Sequence, residues 1–360
     1  MSGSSLDGLD VVFAHYHDQA GQWNVEIKAS SCYDYSPEWK KRLQYATQLS
    51  ARDYCLLHAA YGHFLGECVN RFIEEKNIYL QADLIASHGH TVFHSPGQGM
   101  TAQLGDGASI AAETGMAVIS DLRSIDVALG GEGAPIVPLG EQLLFPEYEI
   151  FLNIGGIANI SCHKENRVIA FDVCPANRVL NELSAMMNKP FDENGMLAKA
   201  GVINKELLHE LNTLDYYSRK YPKSLSNDFG IGIILPIINK YSIPVQDKLR
   251  TYTEHVAVQI RYSLERLMPY GWHAQKQHDK LLATGGGSFN GFLIGSMQQQ
   301  LEPLDIEVIV PDEQIVKYKE ALIIGLLGVL RWRENKTSLA SVTGARRDSI
   351  GGALWMGQDP

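Results

Sequence analysis

Three glycine-rich turns and one carboxylate at the end of an apolar strand are the parts of this sequence best suited to chemistry. The first turn reads Ser2-Gly3-Ser4-Ser5-Leu6-Asp7-Gly8-Leu9-Asp10. Glycine frees the backbone there, hydroxyls and N–H groups donate to phosphate oxygens, and a carboxylate holds Mg²⁺ directly or through water. A solvated hairpin explains the same residues when the turn is taken alone. The second turn, Asn153-Ile154-Gly155-Gly156-Ile157-Ala158-Asn159, sets adjacent glycines between apolar strands and suits either a plain hairpin or a phosphate-facing loop. The third, Thr284-Gly285-Gly286-Gly287-Ser288-Phe289-Asn290, ends an apolar strand, a common nucleotide position in α/β folds. Neither a full dinucleotide fingerprint nor a Gly-Lys dipeptide is present, which excludes a standard P-loop.

Val168-Ile169-Ala170-Phe171-Asp172 is an apolar run closed by a carboxylate. A rigid strand would fix Asp172 where it can take a proton from an attacking hydroxyl or water. Capping of a helix that begins near Asn177 is the competing explanation. His88, His90 and His94 lie close in sequence, but no cysteine or carboxylate beside them completes a ligand set, so lining of a polar cleft outweighs a metal site. Arg123 and Asp126 suit either substrate contact or a surface ion pair. Lys223-Ser224 and Thr253-Glu254 suit helix starts or surface pairs.

Elements must position these groups, and the pattern is α/β. Strand-like runs fall at Val11–Tyr16, Asn24–Ala29, Leu84–Ser87, Ala117–Asp121, Ile150–Ile154, Val168–Asp172, Leu281–Thr284 and Ile306–Val310. Helical spacing runs from about Glu38 to Glu75, with a division expected at Gly62, and again near Glu254–Leu267 and Tyr318–Trp332. With 360 residues the chain exceeds one ordinary core, so two lobes with a cleft between them are expected. A net charge of −10 argues against nucleic acid as a partner. The five cysteines lack C-x-x-C spacing, which fits a reducing compartment. No basic stretch followed by an apolar run opens the sequence, and its longest apolar run is about half of what a bilayer requires, so a cytoplasmic protein without membrane association is expected.

Taken in order, eleven segments resemble the anhydro-N-acetylmuramic acid kinase family: Met1–Asp10, Ser87–Thr91, Leu104–Asp106, Asp121–Arg123, Gly130–Pro135, Leu152–Asn159, Phe171–Asp172, Pro222–Ser224, Thr253–Glu254, Gly285–Gly287 and Val342–Gly344. The resemblance implies a two-lobed actin/hexokinase-like (RNase H-like) ATPase fold with a central cleft, one lobe from 1–117 plus about 337–360 and the other from 118–336. It implies an ATP-dependent kinase that opens 1,6-anhydro-N-acetylmuramic acid with water and phosphorylates O6. Asp172 would be the catalytic base. Gly3, Ser4, Ser5, Leu6, Asp7, Gly8, Leu9, Asp10, Gly155, Gly156, Gly285, Gly286, Gly287 and Asn290 would face the nucleotide, with Mg²⁺ at Asp7. His88, Arg123, Pro135 and Asn177 would face the amino sugar, and a homodimer is expected by analogy.

The sequence departs from the family in five places. The family's first strand runs several residues ahead of the Met-Ser-Gly turn, whereas the sequence here starts at that Met. Val173-Cys174-Pro175-Ala176-Asn177 replaces Thr-Gly-Pro-Gly-Asn, which is expected to add side chains near substrate. His90 stands for Gln and Asn181 for an acid, and no Thr-Gly-Arg follows Ser224. A kinase for another amino sugar and a non-catalytic sugar sensor are the alternatives these changes raise.

Overall fold

The computed structural model describes every residue except 4, 5, 7, 165, 166, 222, 227, 268–278 and 358–360. The chain divides into two compact units, Met1–Pro146 with Tyr318–Pro360, and Glu147–Lys317. These borders differ from the division at 117 and 336 that the resemblance implies. The strand Val118–Ser120 pairs within the first unit, which carries the border past it.

Unit 1 opens with a long antiparallel hairpin, β1 (Gly8–Gln19) and β2 (Gln22–Asp34). Helix α1 (Pro37–Gln44) starts with Pro37 in its first turn and Ser36 accepting from the Trp39 N–H at 3.2 Å. Helix α2 (Ala51–Lys76) is capped by Ser50 through the Asp53 N–H at 3.2 Å and stops at Asn77 in the left-handed conformation. Leu57, Tyr61, Leu65, Cys68 and Phe72 recur at helical spacing and are buried. The division expected at Gly62 lies instead at residues 45–50. Gly62 continues the helix because a Cβ there would sit 2.5 Å from the Asp106 carbonyl oxygen, so glycine lets α2 approach the next helix closely.

The chain continues through β3 (Ile85–Ala86), the hairpin β4 (His90–Ser95) and β5 (Met100–Leu104), α3 (Gly107–Thr114) and β6 (Val118–Ser120). The β4–β5 hairpin was not expected, since its polar residues mask the alternation. Strand β3 runs parallel to β6.

Unit 2 contains one five-stranded sheet. In chain order its strands are β7 (Ile150–Ile154), β8 (Ile157–Lys164), β9 (Arg167–Pro175), β10 (Asp279–Thr284) and β11 (Ile306–Ile309), and in space they lie β9-β8-β7-β10-β11. Strand β8 is antiparallel to both neighbours, whereas β10 is parallel to β7 and β11. A meander of three strands followed by two parallel ones is the RNase H-like order. Ile150, Leu152 and Ile154 are buried, as are Leu281 and Ala283, because helices cover the sheet. Those helices include α4 (Asn177–Ala185), α5 (Val245–Leu267) and α6 (Gly291–Leu301). On α5, Leu249, Tyr252, Val256, Ile260 and Leu264 form the apolar stripe, each contributing about 1.5–3 kcal/mol when fully buried. Thr253, expected at a helix start or in a surface pair, is buried in the middle of α5. Helix α7 (Glu313–Trp332) leads the chain back into unit 1, where β12 (Ala353–Trp355) adds antiparallel to β6. No helix among the described residues is long and apolar enough to cross a membrane.

Candidate functional site

The parallel strands β7, β9 and β10 of unit 2 end at the same edge of the sheet, which gathers the glycine turns and Asp172 there. Gly155 and Gly156 make the two-residue turn from β7 to β8. The start of α4 clasps this turn: the Ala176 and Arg178 N–H groups donate to the Gly156 carbonyl at 2.8 and 3.3 Å, and the Asn177 N–H donates to that of Gly155 at 3.1 Å. Asn177 also donates from its side chain to the Ile154 carbonyl at 3.1 Å, so this candidate sugar contact anchors the turn.

The third turn has two kinds of glycine. Gly285 has φ +81°, and a Cβ on it would lie 2.3 Å from Asn153 Oδ1; one on Gly287 would lie 2.3 Å from Ile154 Cγ2. These two glycines let the turn pack against β7. At Gly155, Gly156 and Gly286 the nearest atoms to an added Cβ are 3.5, 3.7 and 3.8 Å away, so backbone remains open to a ligand. Ser288 Oγ, in the same turn, is buried with no hydrogen-bond partner among the described residues. An orphaned hydroxyl beside open glycine backbone is donor chemistry suited to phosphate. Asn290 instead caps α6, accepting from the Leu293 N–H at 3.0 Å.

Asp172 is not the cap of α4, since the cap position is Ala176 and has no side-chain bond. The segment 223–225 runs along the outer edge of β9. The Asp172 N–H donates to the Lys223 carbonyl at 3.2 Å, and Asp172 Oδ2 accepts from the Leu225 N–H at 2.8 Å. Among the described residues no donor is bonded to Oδ1. Burial raises the Asp172 carboxyl above the usual carboxylate range, partly offset by the Leu225 N–H. The backbone is fixed further by Tyr216, whose hydroxyl donates to the Asp172 carbonyl at 2.6 Å, and by Tyr252, whose hydroxyl donates to that of Pro175 at 2.8 Å. One carboxylate oxygen is therefore held and the other is available, as a general base requires.

Lys223, expected at a helix start or a surface pair, is partly buried with Nζ 4.7 Å from the Tyr216 ring centre and 5.5 Å from that of Phe171. Burial, with lesser repulsion from Arg266 and Arg219, lowers its pKa to about 8. If that ammonium attracts an anionic group of the substrate, kcat/KM should fall above pH 8. Replacing it by Lys223→Arg should move this alkaline limb at least one pH unit upward, measured from pH 6 to 10. A limb unmoved by the substitution would assign it to another group. Tyr216 and the Leu225 N–H escaped sequence reasoning altogether. Tyrosine in a connecting segment and a main-chain donor carry no local signature, and only the Pro222–Ser224 match pointed to this stretch.

In unit 1, His88 and Arg123 meet. Arg123 Nε and Nη2 lie 3.0 and 2.9 Å from His88 Nε2, and Arg123 Nη1 donates to the Gly133 carbonyl. With Nε2 accepting, His88 Nδ1 donates to the Gly89 carbonyl at 3.0 Å. The ring is neutral, its pKa lowered to about 3 by burial and then by Arg123. Arg123 does not pair with Asp126. Asp126 is buried and accepts from the Gly133 N–H at 2.8 Å, Ser338 Oγ at 2.7 Å and Thr343 Oγ1 at 2.8 Å. It thereby fixes the loop that leads to Pro135, which follows a cis peptide bond. His90 bonds to Ser2 Oγ at 3.1 Å and His94 to Thr101 Oγ1 at 3.1 Å, so the three histidines do not converge on a metal. His15, His17 and Glu26 do converge, on the exposed hairpin, where Glu26 already pairs with Lys28 at 2.6 Å.

Of the first turn, Ser4, Ser5 and Asp7 lie outside the described residues, and with Asp7 the assigned Mg²⁺ ligand. Leu6 has φ +57°, a left-handed conformation that costs a side-chain-bearing residue of order 1–3 kcal/mol and recurs at ligand-binding turns. Gly8 packs against β2, where a Cβ would lie 2.9 Å from the Tyr33 carbonyl oxygen. Leu9 is buried, Asp10 pairs its backbone with Met1, and Gly3 accepts from the Leu6 N–H at 3.4 Å.

The family model for anhydro-N-acetylmuramic acid kinase matches residues 1–357. The chain belongs to that family. An anhydro-N-acetylmuramic acid kinase of Clostridioides difficile strain 630 is 34% identical over 98% of this chain and 96% of its own length. One from Bacillus cereus strain ATCC 14579 is 30% identical over 98% and 95%. A hexokinase from Schistosoma mansoni solved with glucose covers 89% of this chain and 83% of its own at 10% identity, with a TM-score of 0.37, too loose a likeness to carry an argument. Membership makes the chain a sugar kinase. The RNase H-like sheet of unit 2 agrees with the fold expected from the resemblance.

Proposed function

We propose that this kinase uses ATP and water to convert 1,6-anhydro-N-acetylmuramic acid into N-acetylmuramic acid 6-phosphate. Asp172 supports the reading most directly: a carboxylate of raised basicity, one oxygen held by the Leu225 N–H and the other free, at the edge where the glycine turns gather. Asp172 Oδ1 takes a proton from water as the water oxygen bonds to C1. The C1–O6 bond breaks, O6 attacks the γ-phosphorus, and ADP leaves with the electrons of the broken P–O bond. The open backbone at Gly155, Gly156 and Gly286 and the orphaned Ser288 hydroxyl suit the nucleotide. Oxygen donors of the first turn, Asp7 foremost by resemblance, are the chemistry a Mg²⁺ ion takes, and the bound ion would neutralise phosphate charge. His88 and Arg123 would face the sugar, with Pro135 and Asn177 in supporting positions.

A kinase for another amino sugar is less favoured than the sequence suggested. Val173, Cys174 and Ala176 point into the core of unit 2, so they add no side chain to an open surface. The deciding assay incubates the protein with ATP, Mg²⁺, the anhydro sugar and ¹⁸O-water, using N-acetylmuramic acid as control. A phosphorylated product of the anhydro sugar carrying ¹⁸O on C1 is expected. Phosphorylation of the control alone would make the enzyme a simple hydroxyl kinase, and binding of sugar without ADP release would make it a sensor.

A further inference from the structure

The register of the β1–β2 hairpin sorts its side chains into two faces. Tyr16 lies opposite Val25 and Asp18 opposite Trp23, whereas His15 lies opposite Glu26 and His17 opposite Asn24. Successive strand residues point to opposite sides, so the two sets cannot share a face. The first set docks on α7 and the residue after it. Tyr16 donates its hydroxyl to the Leu322 carbonyl at 2.7 Å, Asp18 pairs with Arg333 at 2.8 Å, and the Arg333 guanidinium lies 5.4 Å from the Trp23 ring centre. The hairpin is thereby held from behind, while His17, Asn24 and Glu26 are exposed on the other side.

On that side one nitrogen from each of His15 and His17 and one oxygen of Glu26 lie within 4.8 Å of one another. Ligand atoms around a tetrahedral Zn²⁺, with bonds of about 2.0–2.2 Å, stand roughly 3.3–3.5 Å apart. Rotation of the side chains closes the remaining gap, and the paired backbone stays where it is. The two imidazoles are already turned for this, nearly perpendicular at 81° with ring centres 6.2 Å apart. Beneath them the buried Phe13 ring packs edge-on against His15 at 5.2 Å and limits where that imidazole can go. Lys28 bonds to Glu26 Oε1 at 2.6 Å, which leaves the carboxylate a second oxygen for a cation while the ammonium orients the group.

We propose that His15, His17 and Glu26 form a three-ligand site for a divalent transition-metal ion of the Zn²⁺ class, separate from the Mg²⁺ that accompanies ATP. Two imidazoles and one carboxylate suit such an ion, whereas Mg²⁺ and Ca²⁺ take oxygen ligands. Three protein ligands leave a further coordination position to water or a small anion. The ion ties β1 to β2 across the His15–Glu26 pair, so its binding stiffens the hairpin.

The test titrates Zn²⁺ calorimetrically into the 360-residue chain without nucleotide or Mg²⁺. One ion per chain is expected, and His17→Gln and Glu26→Gln should each weaken binding at least about tenfold. Both side chains are exposed, so the metal-free Tm of either variant should stay within about 1 °C of the parent. A control carrying Cys55→Ser and His209→Gln, an exposed thiol and an exposed imidazole elsewhere, should bind as the parent does. Hydrogen exchange supplies the location: Zn²⁺ should slow exchange in a peptide covering residues 14–27 of the parent but not of His17→Gln, and Mg²⁺ should do so in neither. Absence of saturable binding would overturn the proposal, as would parental affinity in His17→Gln or equal loss in the control. One ion per two chains would overturn it too, since the ligands would then come from two copies. None of these readouts depends on turnover, so the outcome is separate from the proposed reaction.

Discussion

Asp172→Asn is expected to lower kcat by about 10²–10⁴-fold, the usual contribution of a positioned general base, and to leave ATP affinity within about twofold. Asparagine keeps the volume and an oxygen that can accept the Leu225 N–H, so the strand edge is preserved and only the proton acceptor is lost. Stability gives an internal control. Because the folded protein raises the Asp172 pKa, its charged form is disfavoured relative to the unfolded chain, and that penalty grows as pH rises through the unfolded value. The neutral variant avoids it, so its Tm at pH 7 should equal or slightly exceed that of the parent. Undiminished turnover would remove Asp172 from the role of base. Lost turnover with a large fall in Tm would indicate damage to the strand rather than to chemistry.

Two adjacent glycines should respond in opposite ways. Gly285→Ala puts a methyl 2.3 Å from Asn153 Oδ1 and 2.9 Å from the Ile154 backbone, on a residue at φ +81°. Backbone cannot yield as a flexible side chain does, so overpacking and conformational strain together should cost roughly 2–4 kcal/mol. A fall in Tm of about 5–10 °C follows for a unit of this size. At Gly286 the nearest atom is 3.8 Å away and the conformation is open to any residue, so Gly286→Ala should change Tm by no more than about 1 °C. Its methyl instead occupies the face left open to nucleotide, and KM for ATP should rise about tenfold, equivalent to ~1.4 kcal/mol of lost contact. Equal effects on Tm would show that the two glycines share one structural duty; an unchanged KM in Gly286→Ala would place the phosphates elsewhere.

The parts of the fold legible in the sequence were those with uninterrupted pattern. Ile150–Ile154 was read to the residue because a buried central strand is apolar throughout, and the stripe on α2 stood out by its spacing. The reading failed where tertiary contact overrides local preference. Gly62 looked like a break only because its neighbour, the Asp106 carbonyl, lies far off in sequence. The site shows the same split. Asp172 and the open glycines announce themselves as residue types in a strand-and-turn context, whereas the Leu225 N–H and the Tyr216 hydroxyl become visible only when segment 223–225 lies against β9. Cys174 was misjudged for a related reason: a departure from family pattern says which side chain changed but not which way it points.

The Asp126 carboxylate bonds to Ser338 and Thr343, partners 212 and 217 residues further along the chain. During synthesis at about 5–20 residues per second, the loop beside Arg123 must therefore wait on the ribosome for more than two hundred residues before its anchor exists. Unit 2, drawn from the uninterrupted stretch Glu147–Lys317, emerges whole before unit 1 has its closing pieces. The half of the enzyme that carries Asp172 is thus ready to fold first, and the His88–Arg123 half is finished only after the stretch from Tyr318 onward has been made.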